Sequence, residues 1–108
     1  MKDNVVKDKS LEFAVRIVNL YKFLVNEQKE FVMSKQILRS GTSIGANIRE
    51  AEQAQSRADF INKLNIALKE ANETEYWLEL LIRTEYITRE QYELSLIHIS
   101  EPTRLALI

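Results

Sequence analysis

The sequence predicts an all-α fold: an antiparallel, up-and-down four-helix bundle whose fourth helix is truncated. This prediction rests on three observations. The chain of 108 residues contains two glycines and one proline, so it offers few places for turns, and 45% of its residues are hydrophobic. Apolar residues also recur at alternating three- and four-residue spacings, the period of one helical face. A chain of this length supports one domain with a single core.

The first helix is predicted from about Asp8 to Glu27. Its apolar face follows three- and four-residue steps through Ala14, Ile17, Tyr21 and Leu24, with Val18 and Val25 beside them. The polar stretch NEQKE, which starts at Asn26, lacks this spacing. We expect it to form a short connection.

The second helix is predicted to run through both glycines. Apolar and small residues resume at spacings of four, three, four and three, at Ile37, Gly41, Ile44, Ile48 and Ala51. An unbroken stripe of this kind indicates a nearly straight helix that packs along its neighbours at a shallow angle.

Capping pairs mark the starts of the last two helices. Ser56 is followed three residues later by Asp59, and Thr88 is followed by Gln91, so each pair can satisfy free backbone N–H groups at a helix start. The third helix has a long stripe, which consists of Phe60, Leu64, Ala67, Ala71, Thr74, Leu78 and Leu81.

Residues 94–108 are predicted to be a tail that is not native sequence. The stretch LSLIHISEPTR, residues 94–104, resembles the translated end of a transposase adaptor used in sequencing libraries, and a fusion scar says nothing about the fold. We therefore assign 1–93 to the bundle domain, incomplete at its C-terminus, and 94–108 to this tail. The alternative is a genuine amphipathic tail broken at Pro102.

The stretch RSGTSIGANIREA could be a phosphate loop or part of a helix. A P-loop needs four residues between its glycines and a lysine after the second, but Gly41 and Gly45 are separated by three and Ala46 follows. Glycine inside a helix costs roughly 1 kcal/mol relative to alanine, so two of them indicate close packing. We predict that Gly41, Ile44, Gly45 and Ile48 form a helix-packing motif.

Composition bounds the class of protein. The absence of cysteine excludes disulfides and thiolate metal sites, and it suits a reducing cytoplasm. The start MKDNVVKDKS has no apolar core, and no apolar run approaches the ~20 residues that span a bilayer. We expect a cytoplasmic protein without membrane association and without a cofactor.

The second and third stripes also carry a family resemblance. SGTSIGANIREA and ADFINKLNIALKEANETEYWLELL resemble the four-helix-bundle proteins of the 23S rRNA intervening-sequence family, and the resemblance covers nearly all of residues 5–93. Its most specific part is the pattern S-I-x-x-N-I-x-E, met by Ser43, Ile44, Asn47, Ile48 and Glu50. Arg49 and Ala51 stand at positions where small residues, often alanine and glycine, are common in that family. The resemblance implies a bacterial bundle that assembles into a ring-shaped homo-oligomer, a pentamer.

Two polar stripes on the second helix are candidate binding surfaces. Ser43, Asn47 and Glu50 lie off the apolar face. They either make hydrogen bonds between helices or simply meet solvent, or they form a polar patch at a subunit interface or ligand groove. Lys35, Arg39, Arg49 and Arg57 fall on one helical line that points away from the core. They could follow a nucleic-acid backbone, or they could be a solvated face balanced by glutamates.

Net charge does not favour nucleic acid globally. The chain has a net charge of −1, but residues 1–63 hold 11 basic and 8 acidic side chains, a balance of +3, while residues 64–108 hold 4 and 8, a balance of −4. Any RNA binding must therefore come from local arrangement.

The third helix contains four carboxylates that raise the question of an enzyme: Glu70, Glu73, Glu75 and Glu79. A di-iron bundle needs Glu-x-x-His on two helices, and the single histidine, His98, lies in the predicted tail. We expect no metal and no catalysis. We expect Tyr76 and Trp77 to pack in the core or at a subunit contact.

The sequence thus predicts a non-catalytic, homo-oligomeric interaction module of the intervening-sequence type, with RNA or an RNA-associated protein as its partner. Two alternatives stay open. One is a protein-binding scaffold without affinity for nucleic acid, and the other is a carboxylate-based, metal-dependent hydrolase.

Overall fold

The computed structural model describes residues 2–95, with the side chains of 5–95. Three long helices and the start of a fourth are present: α1 (Lys2–Asn26), α2 (Met33–Glu52), α3 (Arg57–Arg83) and α4 (residues 89–95). No strand occurs within this part of the chain. The predicted all-α, antiparallel four-helix bundle is confirmed.

The helices follow one another around the bundle in chain order. α2 packs against both α1 and α3. The described part of α4 lies beside α1, because Gln91 lines a groove with Arg16 and Phe23. It also lies beside α3, because Tyr92 lines a second groove with Tyr76. The edge between α1 and α2 is therefore opposite the edge between α3 and α4.

The core is apolar, with a few small polar side chains among its members. Its fully buried large side chains include Phe13, Ile17, Leu24, Ile37, Ile44, Leu78 and Leu81. Ser40 and Thr74 are also fully buried, and the Thr74 hydroxyl donates a hydrogen bond to Ser40 Oγ at 2.8 Å. This bond joins α2 to α3 and removes the cost of burying two hydroxyls without partners. The predicted stripe of α3 is buried from Leu64 onward, but its first member, Phe60, is exposed.

α1 is longer than predicted, and its buried face agrees with the predicted one at Ile17 and Leu24 but not at Ala14 and Tyr21. It begins at Lys2 instead of near Asp8, and its buried residues are Val6, Ser10, Phe13, Ile17 and Leu24. Ala14 and Tyr21, which were predicted on the core face, are only half-buried. The apolar pattern missed this register because Ser10, a polar residue, occupies a core position where α2 comes close.

The connections are held by side-chain caps. Thr88 and Gln91 form the predicted capping box: the Thr88 N–H donates to Gln91 Oε1 at 2.8 Å, and the Gln91 N–H donates to Thr88 Oγ1 at 3.1 Å. At the start of α3, Ser56 Oγ accepts from the Asp59 N–H at 3.1 Å. Gln28 Nε2 donates to the Tyr86 carbonyl at 2.9 Å, which joins the two connections at one end of the bundle.

The start of α2 has a cap that the sequence did not indicate. Glu30 is 7% exposed, and its carboxylate accepts from the backbone N–H groups of Val32, Met33 and Ser34 at 3.1, 2.9 and 2.7 Å. A carboxylate is favoured there because the free N–H groups give the helix N-terminus a partial positive charge.

Only Leu94 and Ser95 of the predicted tail belong to the described residues, and both continue α4. The rest of that prediction, with His98 and Pro102, lies outside them. None of the helices in the described part combines the length and apolar character that a bilayer-spanning segment needs.

Candidate functional site

The helix-packing motif lies where α1 approaches α2. Gly41, Ile44, Gly45 and Ile48 are all buried. A Cβ atom at Gly41 would lie 2.8 Å from Cγ1 and 2.9 Å from Cγ2 of Ile17. At Gly45 it would lie 3.3 Å from Oγ and 3.4 Å from the backbone oxygen of Ser10. Neither glycine has a positive φ, so both provide space and not conformational freedom.

The polar motif is satisfied mainly within its own helix. Ser43 Oγ donates to the Arg39 carbonyl at 2.7 Å, and Asn47 Nδ2 donates to the Ser43 carbonyl at 2.8 Å. Glu50 reaches α3, where its carboxylate pairs with Lys63 Nζ at 3.3 Å. Glu50 therefore forms an ion pair between two helices. Ser43 and Asn47 are half-buried, and their hydrogen bonds stay within α2.

Arg39 is held by carboxylates of α3. Its Nη1 lies 3.4 Å from Glu70 Oε1, its Nη2 bonds Glu73 Oε2, and Trp77 Nε1 donates to the same Glu73 oxygen at 3.0 Å. The hydrogen bond from Arg39, and then that from Trp77, hold the pKa of Glu73 below its usual range. The bond to Glu73 raises the pKa of Arg39. Much of the positive charge of Arg39 is thus balanced within the bundle.

The predicted line of four cations does not lie on one helix. Lys35, Arg39 and Arg49 are exposed on α2, but α2 ends at Glu52 and Arg57 is the first residue of α3. The helical period was wrongly carried across the turn at residues 53–56. Within the described part of the chain, no carboxylate lies within 4 Å of Lys35, Arg49 or Arg57.

An apolar surface borders this line. We call it the α1/α2 groove: a space of about 160 Å³ lined by Ser10, Leu11, Ala14, Thr42, Gly45, Ala46 and Arg49. Leu11 and its neighbour Val15 are 51% and 53% exposed. Among the described residues that line the groove, Arg49 is the one charged side chain. The sequence missed Leu11 and Val15 because its predicted α1 face pointed elsewhere.

The opposite edge has a second groove of different chemistry. We call it the α3/α4 groove: a space of about 330 Å³ lined by Asn72, Glu75, Tyr76, Glu79 and Tyr92. Tyr76 is 55% exposed and contacts the half-buried Trp77 edge to face, with ring centroids 5.2 Å apart. Of the two aromatic residues, Trp77 packs against the core while Tyr76 faces outward.

The carboxylates of α3 are directed to different places. Glu70 and Glu73 bind Arg39, Glu79 lies 3.8 Å from Arg83, and Glu75 lines the α3/α4 groove. Across residues 5–95, no three potential ligands lie close enough together to hold a metal ion.

Comparison with known proteins places the chain in a family. The family model described as 23S rRNA-intervening sequence protein matches residues 2–106. The chain is similar to a crystal structure of a protein of unknown function from the S23 ribosomal protein family of Bacteroides thetaiotaomicron, with 89% identity and a TM-score of 0.96 over 99% of this chain and 96% of that one. No curated protein matches. This chain belongs to the 23S rRNA-intervening sequence protein family.

Proposed function

We propose that this chain is a non-catalytic, homo-oligomeric interaction module of the intervening-sequence type. The observation behind the proposal is the exposure of Leu11 and Val15 beside the α1/α2 groove. Clustered exposed apolar residues on a small domain are typical of an interaction surface. Completing the burial of two half-exposed aliphatic side chains contributes about 1 kcal/mol each, which favours association when the rest of the interface fits.

RNA, or an RNA-associated protein, is the partner that we propose for the assembled form. Lys35 and Arg57 are exposed, and among the described residues no carboxylate lies within 4 Å of either. Each copy in an assembly adds the same cations, so a weak surface is multiplied. Membership of the family and the S23 ribosomal protein family of the similar crystal structure support this partner. It would place the protein in the cytoplasm.

Arg39 has a smaller part in this proposal than its place on the predicted line of cations suggests. Its guanidinium is already engaged by Glu70 and Glu73, and a phosphate would have to compete with both. We therefore assign phosphate binding to Lys35 and Arg57, and not to Arg49, which lines the α1/α2 groove.

Fluorescence anisotropy with a labelled single-stranded RNA 20-mer, at several salt concentrations, tests the RNA proposal. Lys35→Glu and Arg57→Glu are expected to weaken binding by the full chain and to lower the salt slope by about 0.7 for each phosphate that the variant no longer binds. Lys69→Glu, exposed on α3, is the control with the same charge change. Arg49 is left unchanged because it also borders the α1/α2 groove.

If Lys35→Glu and Arg57→Glu bind the RNA as tightly as the control Lys69→Glu does, the RNA proposal is contradicted. Assembly without RNA binding would then favour the alternative of a protein-binding scaffold. The carboxylate-based hydrolase is the weaker alternative, because Arg39 already occupies two of the four carboxylates that it would use.

A further inference from the structure

We infer that copies of this chain associate head to tail, with the α1/α2 groove of one copy covered by the α3/α4 groove of the next. This inference rests on the proposed homo-oligomer and specifies which surfaces meet. The two grooves lie on opposite edges of the bundle. This follows because α2 packs on α1 and α3, and α4 also lies beside α1 and α3. One copy can therefore use both edges at once.

The two edges are complementary in chemistry. The α1/α2 groove is lined by the half-exposed Leu11 and the cationic Arg49, and the half-exposed Val15 follows Leu11 by about one turn of α1. The α3/α4 groove has about twice the volume and offers Glu75, Glu79 and the exposed ring of Tyr76. Aliphatic side chains fill the space between aromatic rings, and a guanidinium is attracted both to carboxylates and to an aromatic face.

Pairing of the α1/α2 groove with itself fits less well. A two-fold interface brings the same patch of both copies together, so it would collect two Arg49 side chains at a small apolar contact. No carboxylate lines that groove among the described residues, and burying like charges without a partner is unfavourable. The Tyr76 ring would also stay exposed. Pairing of opposite edges removes both difficulties.

The two grooves lie at different heights along the bundle axis, and this difference constrains the assembly. Ile17 lies against Gly41 in α1 and α2, and Ser40 lies against Thr74 in α2 and α3. On that register the α3/α4 groove is displaced from Leu11 and Val15 by roughly 10 Å along the bundle, at 1.5 Å per residue. Neighbouring bundles must therefore be staggered or tilted. A head-to-tail contact closes into a ring only when its rotation allows it.

A mixing experiment with two variants tests this arrangement. Val15→Glu damages the α1/α2 edge and leaves the α3/α4 edge intact, while Tyr76→Asp does the reverse. Val32→Glu, at a residue 72% exposed in the connection before α2, is the matched control. Masses of the full chain and its variants are measured by sedimentation velocity, with circular dichroism to show that each variant is folded.

We expect each edge variant alone to raise the concentration needed for assembly at least tenfold, and the control to assemble as the unmodified chain does. An equimolar mixture of the two edge variants is expected to form a species of two chains and nothing larger, because one intact edge of each kind remains. Assembly of Tyr76→Asp like the unmodified chain, or a mixture that stays monomeric, overturns the head-to-tail arrangement while the homo-oligomer stands. A monomeric unmodified chain overturns both.

Charge reversal gives a second test that does not depend on the apolar residues. Arg49→Glu and Glu75→Lys are each expected to weaken assembly, and the two changes in one chain are expected to restore it. Effects that simply add in the doubly changed chain contradict contact between these edges.

Discussion

The close approach of α1 to α2 predicts that the effect of Gly41→Ala on stability depends on Ile17. A Cβ atom at residue 41 would lie 2.8 and 2.9 Å from Cγ1 and Cγ2 of Ile17. These atoms branch directly from the Ile17 Cβ, so they cannot move away without a change in the helix spacing or an unfavourable rotamer. Overpacking of this kind typically costs about 1–3 kcal/mol.

A second effect has the opposite sign. Alanine is more favourable than glycine inside a helix by roughly 1 kcal/mol, and residue 41 lies in the middle of α2. The two effects leave Gly41→Ala destabilising by about 1 kcal/mol in the unmodified chain. In a chain that also contains Ile17→Ala, the obstructing atoms are gone, and Gly41→Ala is expected to stabilise the fold by up to about 1 kcal/mol.

Urea denaturation followed by circular dichroism measures all four chains of this cycle, at one fixed protein concentration because association contributes to apparent stability. Gly45→Ala is the internal comparison: its Cβ would lie 3.3 Å or more from Ser10, so its net effect is expected to be close to zero. The reasoning is refuted if Gly41→Ala changes the free energy of unfolding equally with and without Ile17.

Two further predictions concern carboxylates with different roles. Glu30→Gln is expected to destabilise the fold by about 1–2 kcal/mol in thermal or urea denaturation, because at least one of three backbone N–H groups loses its acceptor; unchanged stability would contradict the cap. Glu73→Gln is expected to cost at most about 1 kcal/mol, since Arg39 and Glu73 are partly exposed. The pKa of Glu73 is lowered in the fold, so its contribution is present above the unfolded carboxyl pKa and lost as pH falls through the folded value. Glu73→Gln should therefore flatten the loss of stability below about pH 4.5 relative to the unmodified chain, and an unchanged pH dependence would contradict this contribution.

Local periodicity and capping chemistry were sufficient for most of the architecture. The stripe through Ile37, Ile44 and Ile48 identified α2 because its apolar residues are uninterrupted, and Thr88 with Gln91 marked α4 because a capping box is a local interaction. These features depend on residues three or four apart, which a sequence displays directly.

Features that depend on neighbouring helices were missed. Ser10 is buried because a glycine of α2 lies against it, and its own polarity argues for the surface. Arg39 meets carboxylates 31 and 34 residues away, so no local pattern indicates that its charge is balanced. Glu30 belongs to a polar stretch that looked like an ordinary connection, and its burial follows only from the way the chain enters α2.

The candidate surfaces were predicted in part for the same reason. Lys35 and Arg49 were placed on an outward line by the helical period, which holds within α2, but Arg57 lies beyond the turn. The α1/α2 and α3/α4 grooves are formed by pairs of helices, so neither can be derived from the period of one helix. Their complementary chemistry became visible only when the order of helices around the bundle was known.

The mass of the full chain in solution tests the proposed interaction module most directly. Sedimentation velocity over a range of concentrations should show a discrete species of several chains, each of 12.6 kDa, and the family resemblance favours five. A mass of one chain at every concentration would contradict the proposal that this bundle functions as a homo-oligomer.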